Sequence, residues 1–348
     1  MDTLLYLLIG TYTFGGSEGV YLYTFDGVTG ETRQVARAVV ENPSYMDVRD
    51  GKHVYAVSEN EGVPSYANAL FFDRERERLT LLNRRETHAA SPCHIAVEAG
   101  GKHVVTANYG GGSLSVFDVN PDATLAPLSQ QILFTGQGTD TLRQTKPYLH
   151  CVKFSPDGKY LFAADLGTDR IHRLEVSHAD SGPFLKEETL KSFRVADGSG
   201  PRHFLFHPSG RYVYLISELS GTVTAFHCRD GELDAFQTLP ADTLHAGGSA
   251  DIGITPDGKF LYASNRLKGD GLAIFSVSQT DGRLTNIGYQ PTGLHPRNFV
   301  ITPDGKFLLV ACRDSNRVDF FAINPHSGLL KPLHRSIEIN MPVCLKFM

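Results

Sequence analysis

The chain has 348 residues, 41% hydrophobic and 20% charged, with a formal net charge of −5. That length can bury a large core, while the weak acidic balance, with no RNP, zinc-finger or helix-turn-helix pattern, excludes a nucleic-acid partner. The five cysteines (Cys93, Cys151, Cys228, Cys312, Cys344) form no CxxC pair, which points to free thiols, a reducing compartment and a cytoplasmic location. The apolar run from Leu4 to Ile9 is too short for a membrane span and lacks a basic flank or cleavage site.

In chain order, LLYLLIGTYTFGGSEGVYLYTFDGVTGET reads as a strand, a glycine-rich loop, a second strand and a Gly-bearing turn. ENPSYMDVRDGKHVYAVSEN then opens a design that returns at 91–119, 147–176, 200–228, 249–277 and 295–323. The clearest copy runs from Ser199 to Cys228: three aromatic and β-branched runs broken by Ser209-Gly210-Arg211 and Leu219-Ser220-Gly221. The turn glycines Gly51, Gly101, Gly158, Gly210, Gly258 and Gly305 lie roughly fifty residues apart, and four carry Asp-Gly before Lys, a cheap hairpin turn. A repeat of this length built only of strands marks an all-β, seven-bladed β-propeller. Six units are visible. The C-terminal NMPVCLKFM matches a first strand and the N-terminus a second and third, so the two ends share one blade and close the ring. Two β-sandwiches would not explain one even repeat. With no linker or low-complexity segment, a single domain over 1–348 is expected. Two polar stretches, Asp122–Lys146 and Gln237–Gly248, are expected in blade-connecting loops over a binding face.

Positions equidistant from a hairpin turn face each other, which sets Arg202 beside Glu218. The same count puts His94, His150, Arg202, His203, Asp251, Arg297 and Asn298 before the turns. After them come Glu59, Asn108, Tyr109, Asp165, Glu218, Asn265, Arg266 and Arg313. If the first strand of each unit is innermost, both sets converge on one mouth of the central channel. The remainder of those strands, as in HFLF, CVKF and NFVI, reads as apolar, which would confine the polar residues to that mouth. Buried charges must be paired or used, and arginines, acids and histidines around a funnel suit a small anion. The competing reading is structural: Asp165, Asp169 and Asn108 as turn caps, Glu218 as a partner for Arg202, and most of the cysteines as core fillers. His94, His150 and His203 come from different blades without metal-ligand spacing, so neither a metal nor a cofactor is expected. No G-x-S-x-G elbow, P-loop, HExxH or glycosidase-type carboxylate pair is present.

At this level of detail, GTYT, PYLHCVKFSPDGKYLFAADLGTDR, GSGPRHFLFHPSGRYVYLISEL, SADIGITPDGKFLYASNR and HPRNFVITPDGKFLLVA resemble the lactonase family of seven-bladed propellers. That family includes bacterial 6-phosphogluconolactonases and fungal carboxymuconate-lactonizing enzymes. The resemblance spans essentially the whole chain, and the absence of tryptophan speaks against WD40 repeats. It implies lactone chemistry in the central cleft, with His150, Arg202, Glu218 and Arg266 as the matching set and His203 and Arg297 carried by GPRH and PRNF. One departure is Tyr148, where the family usually has a histidine. The implied reaction is hydrolysis of 6-phospho-D-glucono-1,5-lactone, a pentose phosphate pathway step. Arg266 and Arg297 would take the phosphate and Arg202 the oxyanion, with His150 as base and Glu218 as orienting group. His94, Asn265, Asp251 and Asp165 complete the expected substrate-contacting set. Lactonization of a carboxymuconate-like polyacid and a non-enzymatic interaction platform remain as alternatives.

Overall fold

The computed structural model describes residues 4–179 and 181–348. Its strands form seven four-stranded antiparallel sheets, arranged as the blades of a propeller. The innermost strands are Met46–Arg49, Pro92–Val97, Leu149–Phe154, Pro201–Phe206, Ser249–Ile254, Pro296–Ile301 and Pro342–Phe347. Burial falls from the second strand to the fourth strand of a blade. Second strands such as Tyr212–Ser217 are buried throughout, whereas fourth strands such as Glu232–Pro240 are largely solvent-facing. The cores lie between blades: Tyr214, Ile216 and Ala225 pack with Leu261, Ala263 and Phe275 of the next sheet.

The hairpin turns follow from local chemistry. Gly210, Gly258 and Gly305 have φ of 71°, 73° and 72°, a left-handed conformation that costs a residue with a Cβ. Thr255 Oγ1 donates to Asp257 Oδ1 at 2.7 Å, and Thr302 repeats the bond to Asp304 at 2.7 Å. The hydroxyl thereby locks each Thr-Pro-Asp-Gly turn.

The ring closes as expected. Pro342–Phe347 pairs antiparallel with Leu4–Thr11, with Leu7 opposite Phe347 and Gly10 opposite Cys344. Gly19–Asp26 and Thr32–Val39 complete that sheet. Removing residues 341–348 would uncover the inner edge of Leu4–Thr11 and strip Val343, Cys344 and Leu345, each no more than 3% exposed, from the core around Leu7, Leu8 and Ile9. We expect such a truncation to lose cooperative unfolding or to aggregate, read by a thermal melt and size-exclusion chromatography; a monomeric product melting like the full chain would contradict a structural role for closure.

The register departs from simple equidistance. Pro201 pairs with Ser217 but His203 with Ile216, leaving Arg202 as the extra residue of a β-bulge. The irregularity recurs at Cys93, His150 and Arg297. Each bulge re-aims one side chain, so adjacent residues of the inner strands occupy different depths.

Candidate active site in the propeller funnel

The bulge positions form the upper ring of the funnel, carrying Cys93, His150, Arg202 and Arg297. Glu218 and Arg266 join them from the residue just beyond each second strand. Glu218 is the hub. Arg202 Nε donates to its Oε2 at 2.8 Å, Arg266 Nη2 lies 3.2 Å from the same oxygen, and Arg143 Nη2 donates to Oε1 at 2.6 Å. Burial alone would raise the carboxyl pKa, but Arg266, Arg202 and Arg143 outweigh it and bring it down to about 2. A second ion pair adjoins, with Arg297 Nη2 3.6 Å from Glu59 Oε2. Tyr12 O–H donates to that same carboxylate at 2.9 Å, and its ring lies under the Arg297 guanidinium. Four guanidiniums thus face two carboxylates, leaving an excess of two positive charges.

Arg202 is 1% exposed. Its Nε is held by Glu218 and its Nη1 donates to Ala250 O at 2.7 Å, which leaves Nη2. Arg266 donates from Nε to Gly248 O at 2.7 Å. Burial, only partly offset by Glu218 and reinforced by Arg202 and Arg297, pulls its pKa down to about 9. It is therefore a cation at neutral pH that gains from a nearby anion.

His150 is 6% exposed, its Nδ1 3.7 Å from Cys93 Sγ and its ring 5.4 Å from that of Tyr109. Burial, reinforced by Arg202 and His203, holds its pKa well below the ordinary histidine value, so it is a neutral base at pH 7. The three histidines are not at equivalent depths. His94 and His203 follow their bulges and lie one layer down, with ring centroids 5.5 Å apart. His203 Nδ1 donates to Asp251 Oδ1 at 2.8 Å, fixing the tautomer that leaves Nε2 as an acceptor. That Nε2 is buried without a protein partner, and burial brings the His203 pKa down to about 4.

The expectation that polar residues are confined to one mouth is overturned. Below the histidines the channel carries Lys153, Lys346 and Asp47, with Lys346 Nζ 2.8 Å from Asp47. These lysines stand in CVKF and CLKF, which alternation alone reads as strand interior.

Four expected substrate contacts are engaged by protein groups. Asp165 is fully buried and accepts from Tyr148 N, Gly167 N and Thr168 Oγ1. Asn265 accepts from Ser249 Oγ and donates to Ala241 O. Asp251 is occupied by His203, Asn298 Nδ2 and Phe299 N. His94 stacks on Tyr45 at 3.8 Å. Strand alternation explains the first two. Asp165 and Asn265 close their second strands facing into the blade, while the next residue, as with Glu218 and Arg266, turns to the mouth. Nor is Cys93 merely a core filler, since it touches His150.

Sequence reading missed Arg143, Tyr12 and His295. His295 Nε2 lies 3.3 Å from Arg266 Nη1. Tyr12 was within reach through GTYT, and His295 directly precedes PRN. Nothing in the repeat pattern marks Arg143, which comes from a connecting loop.

The comparisons agree with this fold. A family model described as Lactonase, 7-bladed beta-propeller, matches residues 6–347. The chain is 36% identical to a 6-phosphogluconolactonase of Formosa agariphila, covering 92% of this chain and 93% of that one. It is 33% identical to a 6-phosphogluconolactonase of Bacillus subtilis over 98% and 97%. Among solved structures, a candidate 6-phosphogluconolactonase of Bacteroides fragilis superposes with a TM-score of 0.97 at 50% identity, covering 100% and 98%. A periplasmic gluconolactonase of Pseudomonas aeruginosa gives 0.92 at 33%, covering 99% of each. With a seven-sheet ring closed by its own termini and a family model matched over nearly its whole length, the chain belongs to the Lactonase family of seven-bladed β-propellers.

Proposed function

We propose that the funnel hydrolyses 6-phospho-D-glucono-1,5-lactone to 6-phosphogluconate, the activity named for the two curated relatives and a step of the pentose phosphate pathway. The observation that carries this reading is an excess of two positive charges, three of its four guanidiniums buried, beside a neutral histidine, which suits a dianionic ester. His150 takes a proton from water as its oxygen attacks C1. The tetrahedral oxyanion is met by Arg202 Nη2, while Arg266 and Arg297 supply the buried positive field. The C1–O5 bond then breaks, and His150 returns its proton to O5. The new carboxyl group ionises, so one proton leaves per turnover. His203, oriented by Asp251, offers its unpartnered Nε2 to the water or proton beneath His150. Five thiols favour a cytoplasmic setting; among the described residues no helix is long and apolar enough to cross a membrane.

The test is the hydrolysis rate of freshly generated lactone, with the product consumed by an NADP-dependent dehydrogenase. A rate well above spontaneous opening is expected, and one equal to it overturns the reading. A pH profile probes the base. Because folding depresses the His150 pKa well below 6.5 and that of His203 to about 4, both stay neutral as pH falls through 6.5. We expect kcat to remain level through pH 6.5 and to decline only at lower pH; a midpoint at 6.5 would exclude His150 in this environment as the base.

A further inference from the structure

We infer that Arg143, delivered by the longest blade-connecting loop, is the residue that binds the substrate's phosphate and makes the site prefer a phosphorylated lactone. This rests on the lactonase reading above and adds to it the means of discrimination. The connections between one blade's outer strand and the next blade's inner strand run three to eight residues, except for residues 134–148, which number fifteen. Part of the polar stretch expected to cover a binding face is the outer strand Leu125–Leu133, and the loop proper follows it.

The loop is built to hold its arginine in place. Gln144 is 1% exposed and donates from Nε2 to Leu166 O at 2.8 Å and to Asp169 Oδ1 at 2.7 Å. Its Oε1 accepts from Asp140 N at 3.0 Å, while Asp140 Oδ1 accepts from Leu142 N and Arg143 N. Asp169 in turn accepts from Gly198 N and Gly200 N, tying the loop to the approach to Arg202. The buried glutamine fixes the backbone, and its neighbour Arg143 is sent over the mouth to Glu218.

Arg143 differs from the other guanidiniums in freedom. Its side chain is 43% exposed, against 2% for Arg202, 7% for Arg266 and 15% for Arg297. The buried three are fixed by backbone carbonyls, carboxylates or an aromatic face. Arg143 is committed to Glu218 through Nη2 with Tyr109 beside it, and its partly exposed side chain leaves further donors of the fork for a phosphate. Arg143 and Arg202 sit on the two oxygens of one carboxylate. A lactone whose carbonyl lies at Arg202 therefore places its far end within reach of Arg143. Lys146, whose Nζ lies over the Tyr148 ring, adds a second cation from the same loop.

The experiment compares 6-phosphogluconolactone with unphosphorylated D-glucono-1,5-lactone in the parent, Arg143→Gln and Arg143→Lys. Losing a charge-assisted bond to phosphate is expected to raise KM for the phosphorylated lactone by about 10–100-fold. On the unphosphorylated lactone the rise in KM should be about tenfold smaller, so that the ratio of kcat/KM between the two lactones falls, with Lys restoring part of it. Equal KM changes on both lactones, or none on either, would overturn the inference, as would a parent active only on the unphosphorylated lactone. If the parent hydrolyses neither, the lactonase reading fails by itself. Calorimetric binding of inorganic phosphate then decides: weaker binding to Arg143→Gln than to the parent supports the phosphate site, and equal binding refutes it. A thermal melt checks that the exposed substitution leaves the fold intact.

Discussion

Arg202→Met is expected to lower kcat on 6-phosphogluconolactone by about 10²–10³-fold, the usual effect of losing one preorganised oxyanion donor. Arg202 is the largest of the fully buried side chains. Its Nε and Nη1 are spent on Glu218 and Ala250 O, so the guanidinium cannot reorient and costs nothing to organise during the reaction. Methionine fills comparable space with an apolar chain, and Glu218 keeps Arg143 and Arg266, so the fold should survive. KM should change less than kcat, because the oxyanion exists only at the transition state. Arg202→Lys retains the charge without the fork and should fall between the two. Rates must be corrected for spontaneous opening; a kcat within about fivefold of the parent would mean that another donor holds the oxyanion.

Glu218→Gln is expected to have the largest effect on stability, because it leaves Arg143, Arg202 and Arg266 facing one another without their shared anion. Breaking a buried pair from one side costs about 3–5 kcal/mol. The pH dependence carries a definite sign. Folding lowers the Glu218 pKa from 4.5 to about 2, so its stabilising contribution is complete above pH 4.5 and disappears as pH falls towards 2. The parent should therefore be markedly more stable than the variant at pH 7, and the gap attributable to this ionisation should close across that acid window. Denaturant unfolding in a phosphate-free buffer measures it, since a bound anion would stand in for the lost carboxylate. A variant as stable as the parent at pH 7 would show that the carboxylate is not what holds the arginines together. Activity should fall as well, since Arg202 loses the bond that orients it.

The architecture was legible because it is written in local, repeated chemistry. Asp-Gly turns about fifty residues apart and runs alternating with period two specify hairpins, and a chain that ends on a first strand and begins on a second closes its own ring. The ion pair of Arg202 with Glu218, and the presence of His150, His203, Arg266 and Arg297 around one channel, could also be read from positions relative to the turns. What needed the tertiary structure was direction. Counting from a turn cannot reveal a bulge, which separates His150 from His203 by one layer and places Arg202 rather than its neighbour in the upper ring. Nor can it tell Asn265 from Arg266, one residue apart and facing opposite ways. Lys153 and Lys346 look like strand interior until inner strands from seven blades surround one channel. Arg143 lies far from Glu218 in sequence and outside the repeat, so only the folded loop anchored by Gln144 brings them together. Local pattern determines the blades, while the charges that meet at the axis come from segments whose proximity is settled by long-range packing.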